Sequence, residues 1–277
     1  MKDLKDKIAV ITGAGDGIGR SIALALADSG VHVVVADIQQ GLAAAVAEEV
    51  RARGVRALAV QCDVSQLEAV TRLADQAYAE FGRVDILCNN AGVTWRPFRA
   101  VFDATLEDYQ FVFGVNLWGV LFGLNAFLPR MKQQAGDKHI VNTASLAGLI
   151  PMAGHTAYSA SKAAVVALTE AMAQELAPYG FGVTVFCPSR VPTNLQKNSA
   201  LLTAEKLGTE PRNFAPVATP QAERNATFAM DSVEPVGRMV RNAILDNALF
   251  LHTNPLPSDI VADRIHVQYG SATVGKR

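Results

Sequence analysis

Short apolar runs alternate with longer stretches in which apolar residues recur at helical spacing. The apolar runs are residues 8–12, 31–36, 57–62, 84–88, 139–143, 183–187 and 248–252. The helical stretches are residues 17–29, 41–53, 66–81, 105–131, 157–179 and 236–246. Continuous apolar runs are typical of parallel strands that helices cover on both faces. The pattern predicts an α/β fold, a Rossmann-like, doubly wound parallel sheet of about seven strands.

The order of these elements also predicts the domain organisation. No polar or proline-rich linker divides the chain before about residue 190, so we expect one domain over residues 1–277. Residues 188–235 contain six prolines among short helical pieces, which is typical of a binding loop. We therefore predict a substrate-binding lid at 190–232. The tail at 254–277 receives no role.

Composition narrows the class of protein. The 25 basic and 26 acidic residues leave a net charge of −1, which offers no electrostatic footprint for nucleic acid or an anionic membrane. The cysteines at 62, 88 and 187 are widely spaced and form no C-x-x-C pair. They predict free core thiols and no metal site. Because the first ten residues lack the apolar core of a signal peptide, we expect a cytoplasmic protein.

Residues 111–128 form an 18-residue stretch without a charge and include Gly119-x-x-x-Gly123. Length alone would allow a transmembrane helix. Asn116 and Asn125 interrupt the stretch, and nothing else in the chain resembles a span. The residues favour a buried helix, which a subunit contact could cover, and the membrane helix is the alternative.

A glycine-rich turn joins the first predicted strand to the first helix. Glycine lets the backbone bend sharply and approach a pyrophosphate, while the helix start supplies N–H groups and a positive dipole. The spacing is neither G-x-G-x-x-G nor an ATP-type P-loop, because residue 18 is Ile and no Lys-Ser/Thr pair follows. The turn residues predicted to bind a dinucleotide are Gly13, Gly15, Asp16, Gly17, Ile18 and Gly19.

Asp37 and Ile38 follow at the end of the second predicted strand, and Asp37 lies 18 residues after Gly19. A carboxylate there can accept hydrogen bonds from both ribose hydroxyls, whereas it would repel a 2′-phosphate. Asp16 adds a second negative charge to the turn. The residues favour NAD over NADP, with capping of the next helix as the alternative role of Asp37.

Tyr158 and Lys162 lie four residues apart in a predicted helix and therefore on one face. A nearby ammonium and a positive nicotinamide ring would lower the pKa of the tyrosine, so that the phenol could move a proton near neutral pH. The spacing alone is common on protein surfaces. It becomes informative through the motifs that accompany it.

Several ordered motifs make residues 4–193 resemble the short-chain dehydrogenase/reductases, in the single-domain branch with a TGxxxGxG turn. The motifs are Thr12 to Gly19, Asp63-Val64, Asn89-Asn90-Ala91-Gly92, Asn116, Ser145 and Tyr158-x-x-x-Lys162. The resemblance implies that Tyr158 is the general acid/base and that Ser145 hydrogen-bonds the substrate oxygen. It implies that Lys162 binds the nicotinamide ribose and lowers the pKa of the tyrosine, and that Asn116 holds a water in a proton relay. The implied cofactor contacts are Asp63, Val64, Asn90, Ala91, Gly92, Tyr158, Lys162, Pro188, Val191 and Thr193.

Two features depart from the family pattern. Pro188-Ser189 stands where the family usually has Pro-Gly, and the glycine-rich turn after the last strand is missing. The course of the nicotinamide loop is therefore left open.

The segments that flank the catalytic residues predict a large apolar substrate pocket. Its candidate residues are Trp95, Leu146, Met152, His155, Arg190 and Leu195. Plain packing is the alternative for Trp95 and Met152, a helix-start position for His155, and a solvated surface position for Arg190.

Together these features predict reversible hydride transfer between NAD and a bulky apolar secondary alcohol, aromatic, benzylic or polycyclic. An NADP-linked carbonyl reductase and a non-catalytic NAD-binding sensor or scaffold remain alternatives. A sugar epimerase or dehydratase is disfavoured, because its TGxxGxxG turn and larger C-terminal domain are missing. The resemblance also implies a homo-oligomer, a dimer or tetramer, built on the helices at 105–131 and 157–179.

Overall fold

Seven parallel strands form one sheet at the centre of the molecule. A computed structural model of the chain describes residues 1–94, 101–208, 230–256 and 262. The strands are β1 Ile8–Thr12, β2 His32–Asp37, β3 Ala57–Gln61, β4 Ile86–Asn89, β5 Lys138–Thr143, β6 Phe181–Cys187 and β7 Phe250–His252. Their order in the sheet is β3-β2-β1-β4-β5-β6-β7. The predicted Rossmann-like, doubly wound parallel sheet is confirmed.

Helices cover both faces of the sheet. They are α1 Gly17–Ala27, α2 Gln40–Arg51, α3 Leu67–Phe81, α4 Leu106–Phe113, α5 Gly119–Lys132, α6 Leu146–Leu149, α7 Thr156–Leu176, α8 Leu195–Leu207 and α9 Glu234–Asp246. Buried residues of α1, α2 and α9 form the apolar cluster on one face. Residues of α3, α5 and α7 form the cluster on the other.

The apolar runs arise because both faces of each central strand are covered. All five residues of β1 are buried. Val10 belongs to the cluster of α3, α5 and α7, whereas Ala9 and Ile11 belong to that of α1, α2 and α9. Successive side chains of a strand point to opposite faces, so both sets of side chains of a central strand face the core, and a polar residue there needs a hydrogen-bond partner. Full burial of an Ile or Val side chain stabilises the fold by roughly 1.5–3 kcal/mol.

The long apolar stretch is helical, but it is not one regular α-helix. Residues Gly114–Trp118 form a π-helical turn between α4 and α5. Leu106–Lys132 is long and apolar enough to cross a membrane by length and composition alone. In the structure α5 packs against α3 and β4, with Phe127 and Met131 buried in the core. These are the contacts of a core helix, which is the interpretation that the sequence favours.

Other element ends differ from the sequence prediction. The helix predicted at 157–179 ends as an α-helix at Leu176 and continues as the 3₁₀ turn Ala177–Tyr179. Pro178 lies in this turn, and a proline cannot continue the hydrogen-bond ladder of an α-helix. The strand predicted at 248–252 is shorter in the structure, where β7 begins at Phe250 and ends at His252. The three cysteines are free and buried, as predicted, and the described residues include no cluster of metal-ligating side chains.

His139 on β5 is a fully buried titratable residue. Its Nε2 lies 2.8 Å from Thr184 Oγ1, and that hydroxyl donates to the main-chain oxygen of Ala248 at 2.7 Å. Because the hydroxyl hydrogen is used, the imidazole donates through Nε2 and is the Nε2–H tautomer. Burial lowers the pKa of His139 to about 3, so the folded chain keeps this imidazole neutral.

We expect the free energy of unfolding to fall between pH 7 and pH 5 because of His139. The unfolded chain protonates this residue below its ordinary pKa of 6.5, whereas the folded chain does so only near 3. Uptake of this one proton by the unfolded chain lowers the free energy of unfolding by about 2 kcal/mol over that interval. Urea unfolding at both pH values should show a loss smaller by about this amount in His139→Gln. Equal losses in variant and wild type would contradict the prediction.

Candidate active site

A cleft lies beyond the carboxyl ends of the strands, around the point where the strand order reverses between β1 and β4. Open α/β sheets bind their ligands at such a point. The empty volume of the cleft, including the part open to solvent, is ≈ 1130 Å³. The predicted residues that line it are Gly13, Asp16, Gly17, Ile18, Gly19, Asp37, Ile38, Asp63, Val64, Asn90, Ala91, Gly92, Tyr158, Lys162, Pro188, Thr193 and Leu195.

Some predicted site residues are not among the described residues that line the cleft. Trp95 is not among the residues that the structure describes. Val191 packs against the cluster of α1, α2 and α9, and Arg190 is exposed. Arg190 therefore has the solvated surface position that was its alternative. The others outside the wall are Gly15, Asn116, Ser145, Leu146, Met152 and His155.

The cleft also contains residues that were not among the individually predicted site residues. They are Gln39, Leu42, Cys62, Val93, Val115, Thr143, Ala144, Asn194, Asn198 and Leu202. Several of them directly neighbour a predicted residue in sequence, which was a usable signal. Asn198 and Leu202 follow Leu195 at spacings of three and seven, so a helical prediction for this segment would have put them on one face.

The glycine turn is fixed to the loop after β4. Thr12 Oγ1 accepts hydrogen bonds from the main-chain N–H groups of Asn90 at 3.0 Å and Ala91 at 3.1 Å. The Asn90 side-chain amide donates back to the main-chain oxygen of Thr12 at 2.9 Å. Gly13 and Gly17 have φ values of 61° and 55°, in the left-handed region that favours glycine. These hydrogen bonds and the left-handed glycines therefore fix the conformation of the turn.

This turn fits a pyrophosphate. A Cβ at Gly13 would lie 2.8 Å from Ala91 Cα, and one at Gly19 would lie 2.1 Å from the Gly13 oxygen. Only a bare backbone therefore fits the close approach of turn and helix start, where a helix binds anions. Asp16 caps α1, because its carboxylate accepts the Gly17 N–H at 2.7 Å.

Asp37 is oriented by two main-chain groups. Its carboxylate accepts the N–H of Gly15 at 2.9 Å and that of Gln39 at 2.9 Å. Gln39 is the N-cap residue of α2, so Asp37 binds the N–H of the residue at the cap and is not itself the cap. The same side chain also lines the cleft. Its position therefore fits a ribose diol as well.

Three of the predicted catalytic residues are brought together. Tyr158 and Lys162 lie on the first turns of α7, while Ser145 follows β5 and caps α6. Ser145 hydrogen-bonds Tyr158. The Lys162 ammonium donates to the main-chain oxygen of Thr143 at 2.8 Å and lies 5.9 Å from the centroid of the Tyr158 ring.

Burial dominates the electrostatics of this group. It raises the pKa of Tyr158 above its ordinary value, an effect that the hydrogen bond with Ser145 opposes. Burial also lowers the pKa of Lys162 to about 8. The expectation that Lys162 and the nicotinamide together lower the pKa of the tyrosine stays a prediction, because burial sets the direction found here. Desolvation disfavours both charged forms, and the ammonium is directed at the Thr143 oxygen.

Asn116 is fully buried in the π-helical turn. Its Oδ1 accepts the Val93 N–H at 2.8 Å, and its Nδ2 donates to the Val93 oxygen at 2.9 Å and to Ser161 Oγ at 3.1 Å. Ser161 Oγ in turn donates to the main-chain oxygen of Tyr158 at 2.8 Å. Both amide hydrogens are used, so the side chain ties the loop after β4 to α7. The proposed contact with a relay water stays a prediction.

The described part of the predicted lid is residues 190–208, which include α8, and residues 230–232. Asn194 Nδ2 donates to the Asp16 carboxylate at 2.8 Å. Farther along, the Thr94 N–H donates to the buried Ser199 Oγ at 2.9 Å. The helix is thus attached on both sides of the cleft, between the glycine turn and the loop after β4. Residues 209–229 of the predicted lid lie outside the described part.

Three pocket candidates lie on the segments next to Ser145 and Tyr158. Leu146 is buried, and its N–H donates to the Pro188 oxygen at 2.9 Å. His155 precedes α7, and its ring centroid lies 5.5 Å from that of Tyr158. The Met152 N–H donates to Ser159 Oγ at 3.4 Å. His155 therefore has the predicted helix-start position and also contacts the ring of the tyrosine.

Known proteins resemble this chain over most of its length. Residues 7–201 match a family model described as short chain dehydrogenase. A 1-deoxy-11-beta-hydroxypentalenate dehydrogenase of Streptomyces avermitilis is 34% identical over 252 residues, which are 91% of this chain and 86% of the relative. A short chain dehydrogenase/reductase from Burkholderia phymatum, in complex with NAD, has a TM-score of 0.79 and 35% identity, covering 95% of this chain and 93% of that chain. A 7 alpha-hydroxysteroid dehydrogenase, complexed with NADH and 7-oxo glycochenodeoxycholic acid, has a TM-score of 0.75 and 28% identity. The match covers 91% of this chain and 94% of that chain.

Proposed function

The chain belongs to the short-chain dehydrogenase family, and from this premise we propose that it is an NAD-dependent oxidoreductase that interconverts a bulky secondary alcohol and its ketone. Membership of the family supports the general reaction, an oxidoreduction of hydroxyl and keto groups. The observation that carries the proposal is the grouping of Ser145, Tyr158 and Lys162 beside a glycine turn that fits a dinucleotide.

Each residue of this group has a chemical task in the proposed reaction. NAD, when bound, supplies the hydride acceptor for the alcohol carbon and a positive charge beside the phenol. As a phenolate, which the positive charges of bound NAD and of Lys162 would stabilise, Tyr158 takes the hydroxyl proton of the alcohol during oxidation, and as the phenol it returns that proton during reduction. Ser145 hydrogen-bonds the substrate oxygen and stabilises the charge that develops there. Lys162, held by Thr143 at the cleft, binds the nicotinamide ribose.

The proposed substrate is large and apolar. Val93, Val115, Leu195 and Leu202 give the cleft apolar walls beside the lid, and such walls favour an apolar ligand. The structural neighbour complexed with 7-oxo glycochenodeoxycholic acid is named a hydroxysteroid dehydrogenase, which supports a polycyclic alcohol. Aromatic and benzylic alcohols belong to the same proposal. Asn198 adds a polar group to this lining.

The test of this function is absorbance at 340 nm with NAD and a panel of benzylic and polycyclic secondary alcohols. We expect NADH to form with at least one of them, and the matching ketone to oxidise NADH. Parallel assays with NADP test the carbonyl-reductase alternative. A chain that binds NADH but reduces no ketone and oxidises no alcohol would contradict the enzyme and favour the NAD-binding sensor.

Asp37→Ala should lower the preference for NAD over NADP. The carboxylate lines the cleft at the end of β2, where it would repel a 2′-phosphate. We expect the ratio of kcat/KM values for the two cofactors to fall roughly 100-fold. Asp75→Ala is the control, because Asp75 pairs with Arg130 at the surface and lies outside the described wall of the cleft. An unchanged ratio in Asp37→Ala would remove this residue from cofactor selection.

We also propose a homo-oligomer in the cytoplasm. Leu106 and Trp118 expose apolar side chains on the helical segment from α4 to α5, and exposed apolar groups of this size favour a protein contact. The three free, buried cysteines are those of a reducing compartment.

A further inference from the structure

Ser189 follows Pro188 in the segment 188–193, the cofactor loop, and stands where the family usually has glycine. Its side chain and main chain both contact the end of β7. The Ser189 N–H donates to Thr253 Oγ1 at 2.9 Å, and the two hydroxyl oxygens lie 2.7 Å apart. Ser189 Oγ also donates to Asn254 Oδ1 at 2.6 Å. A glycine at this position could make only the main-chain contact.

The directions of these hydrogen bonds form one consistent set. Because the Ser189 hydroxyl gives its hydrogen to the Asn254 amide oxygen, the Thr253 hydroxyl gives its own hydrogen to Ser189 Oγ. Thr253 Oγ1 still accepts the Ser189 N–H. Thr253 is buried, whereas Ser189 and Asn254 are half-buried, so the bonds are partly shielded from water.

The cofactor loop is held from the opposite side as well. The Leu146 N–H donates to the Pro188 oxygen at 2.9 Å, and Leu146 directly follows Ser145. Pro188 and Thr193, at the two ends of the loop, line the cleft. The loop therefore lies between Ser145 and the end of β7, and Ser189 makes its hydrogen bonds on the β7 side.

We propose that Ser189, Thr253 and Asn254 form a positioning clamp that holds the cofactor loop in its cofactor-binding conformation. The inference rests on the proposed function, since it takes the cleft to be the NAD site. The three residues act through Pro188 and Thr193 and need not touch the cofactor. Without the clamp, binding must also order the loop, and that cost weakens affinity.

NADH binding, followed by its fluorescence, tests the clamp without any substrate. We expect Ser189→Ala and Thr253→Val each to raise the Kd for NADH about tenfold, since each loses hydroxyl hydrogen bonds of the loop. Thr253→Ser keeps the hydroxyl and should bind NADH within about twofold of wild type. The KM for NAD should rise with the Kd, while kcat changes less.

Thr184→Val is the matched control. Thr184 lies on β6 and, like Ser189, uses its hydroxyl to reach the chain beside β7, at the main-chain oxygen of Ala248, but it lies outside the described wall of the cleft. Thermal unfolding of all variants measures stability beside binding. The control should lose stability and keep the wild-type Kd for NADH.

The outcomes separate the clamp from the proposed function. Wild-type affinity in both Ser189→Ala and Thr253→Val, with a loss of stability like that of the control, would overturn the clamp alone. A wild type that binds neither NADH nor NADPH would overturn the proposed function and the clamp with it. Should Thr253→Val fail to fold, Ser189→Gly decides, because it gives the loop the residue usual in the family. NADH affinity equal to wild type in Ser189→Gly would contradict the clamp.

Discussion

Tyr158→Phe is expected to lower kcat for alcohol oxidation about 1000-fold, the middle of the range for loss of a general acid/base. The substitution removes only the phenol oxygen, which in the proposed reaction takes the proton of the alcohol. NADH affinity should change little, because the ring remains in the wall of the cleft beside Lys162. Absorbance at 340 nm with an accepted alcohol measures the rate, and NADH fluorescence measures binding.

Tyr179→Phe is the matched control for this prediction. Tyr179 carries the same phenol but lies in the 3₁₀ turn after α7, where it is 48% exposed. It should keep wild-type kcat. A loss of kcat of less than about tenfold in Tyr158→Phe would be smaller than the contribution of an acid/base group. Such a result would remove Tyr158 from that role.

Local motifs made much of the site predictable from the sequence. The glycine turn and Asp37 depend on the ends of two consecutive strands, and apolar runs mark such ends clearly. Tyr158 and Lys162 depend only on helical spacing. For these residues the structure adds mainly the partners, such as the Gly15 N–H on Asp37.

Contacts between distant residues could not be predicted in this way. The Asn116 amide is used by Val93 and Ser161, 23 and 45 residues away along the chain, and no local pattern specifies such pairs. The raised pKa of Tyr158 depends on burial, which only the packed cleft determines. The contacts of Ser189 could not be predicted for the same reason. The sequence shows that Ser189 departs from the family pattern, but its partner Thr253 lies 64 residues later.

Gly19→Ala is expected to weaken NADH binding about 100-fold and to destabilise the fold by roughly 1–3 kcal/mol, the usual cost of overpacking. A Cβ at this position would lie 2.1 Å from the Gly13 oxygen, 2.6 Å from Asn90 Nδ2 and 2.8 Å from Ala14 Cα. Two of these atoms belong to the main chain of the glycine turn. Relief of the clash therefore requires α1 to move away from the turn, and the N–H groups of its first turn move with it.

Gly41→Ala separates this effect from the general effect of alanine in a helix. Gly41 lies in the first turn of α2, and a Cβ there would meet nothing within 4 Å. Because alanine loses less conformational freedom than glycine in a helix, this variant should gain up to about 1 kcal/mol. Urea unfolding and NADH fluorescence on both variants measure the two effects. Equal stability and equal NADH affinity in Gly19→Ala and Gly41→Ala would show that the close approach of α1 to the glycine turn does not determine cofactor binding.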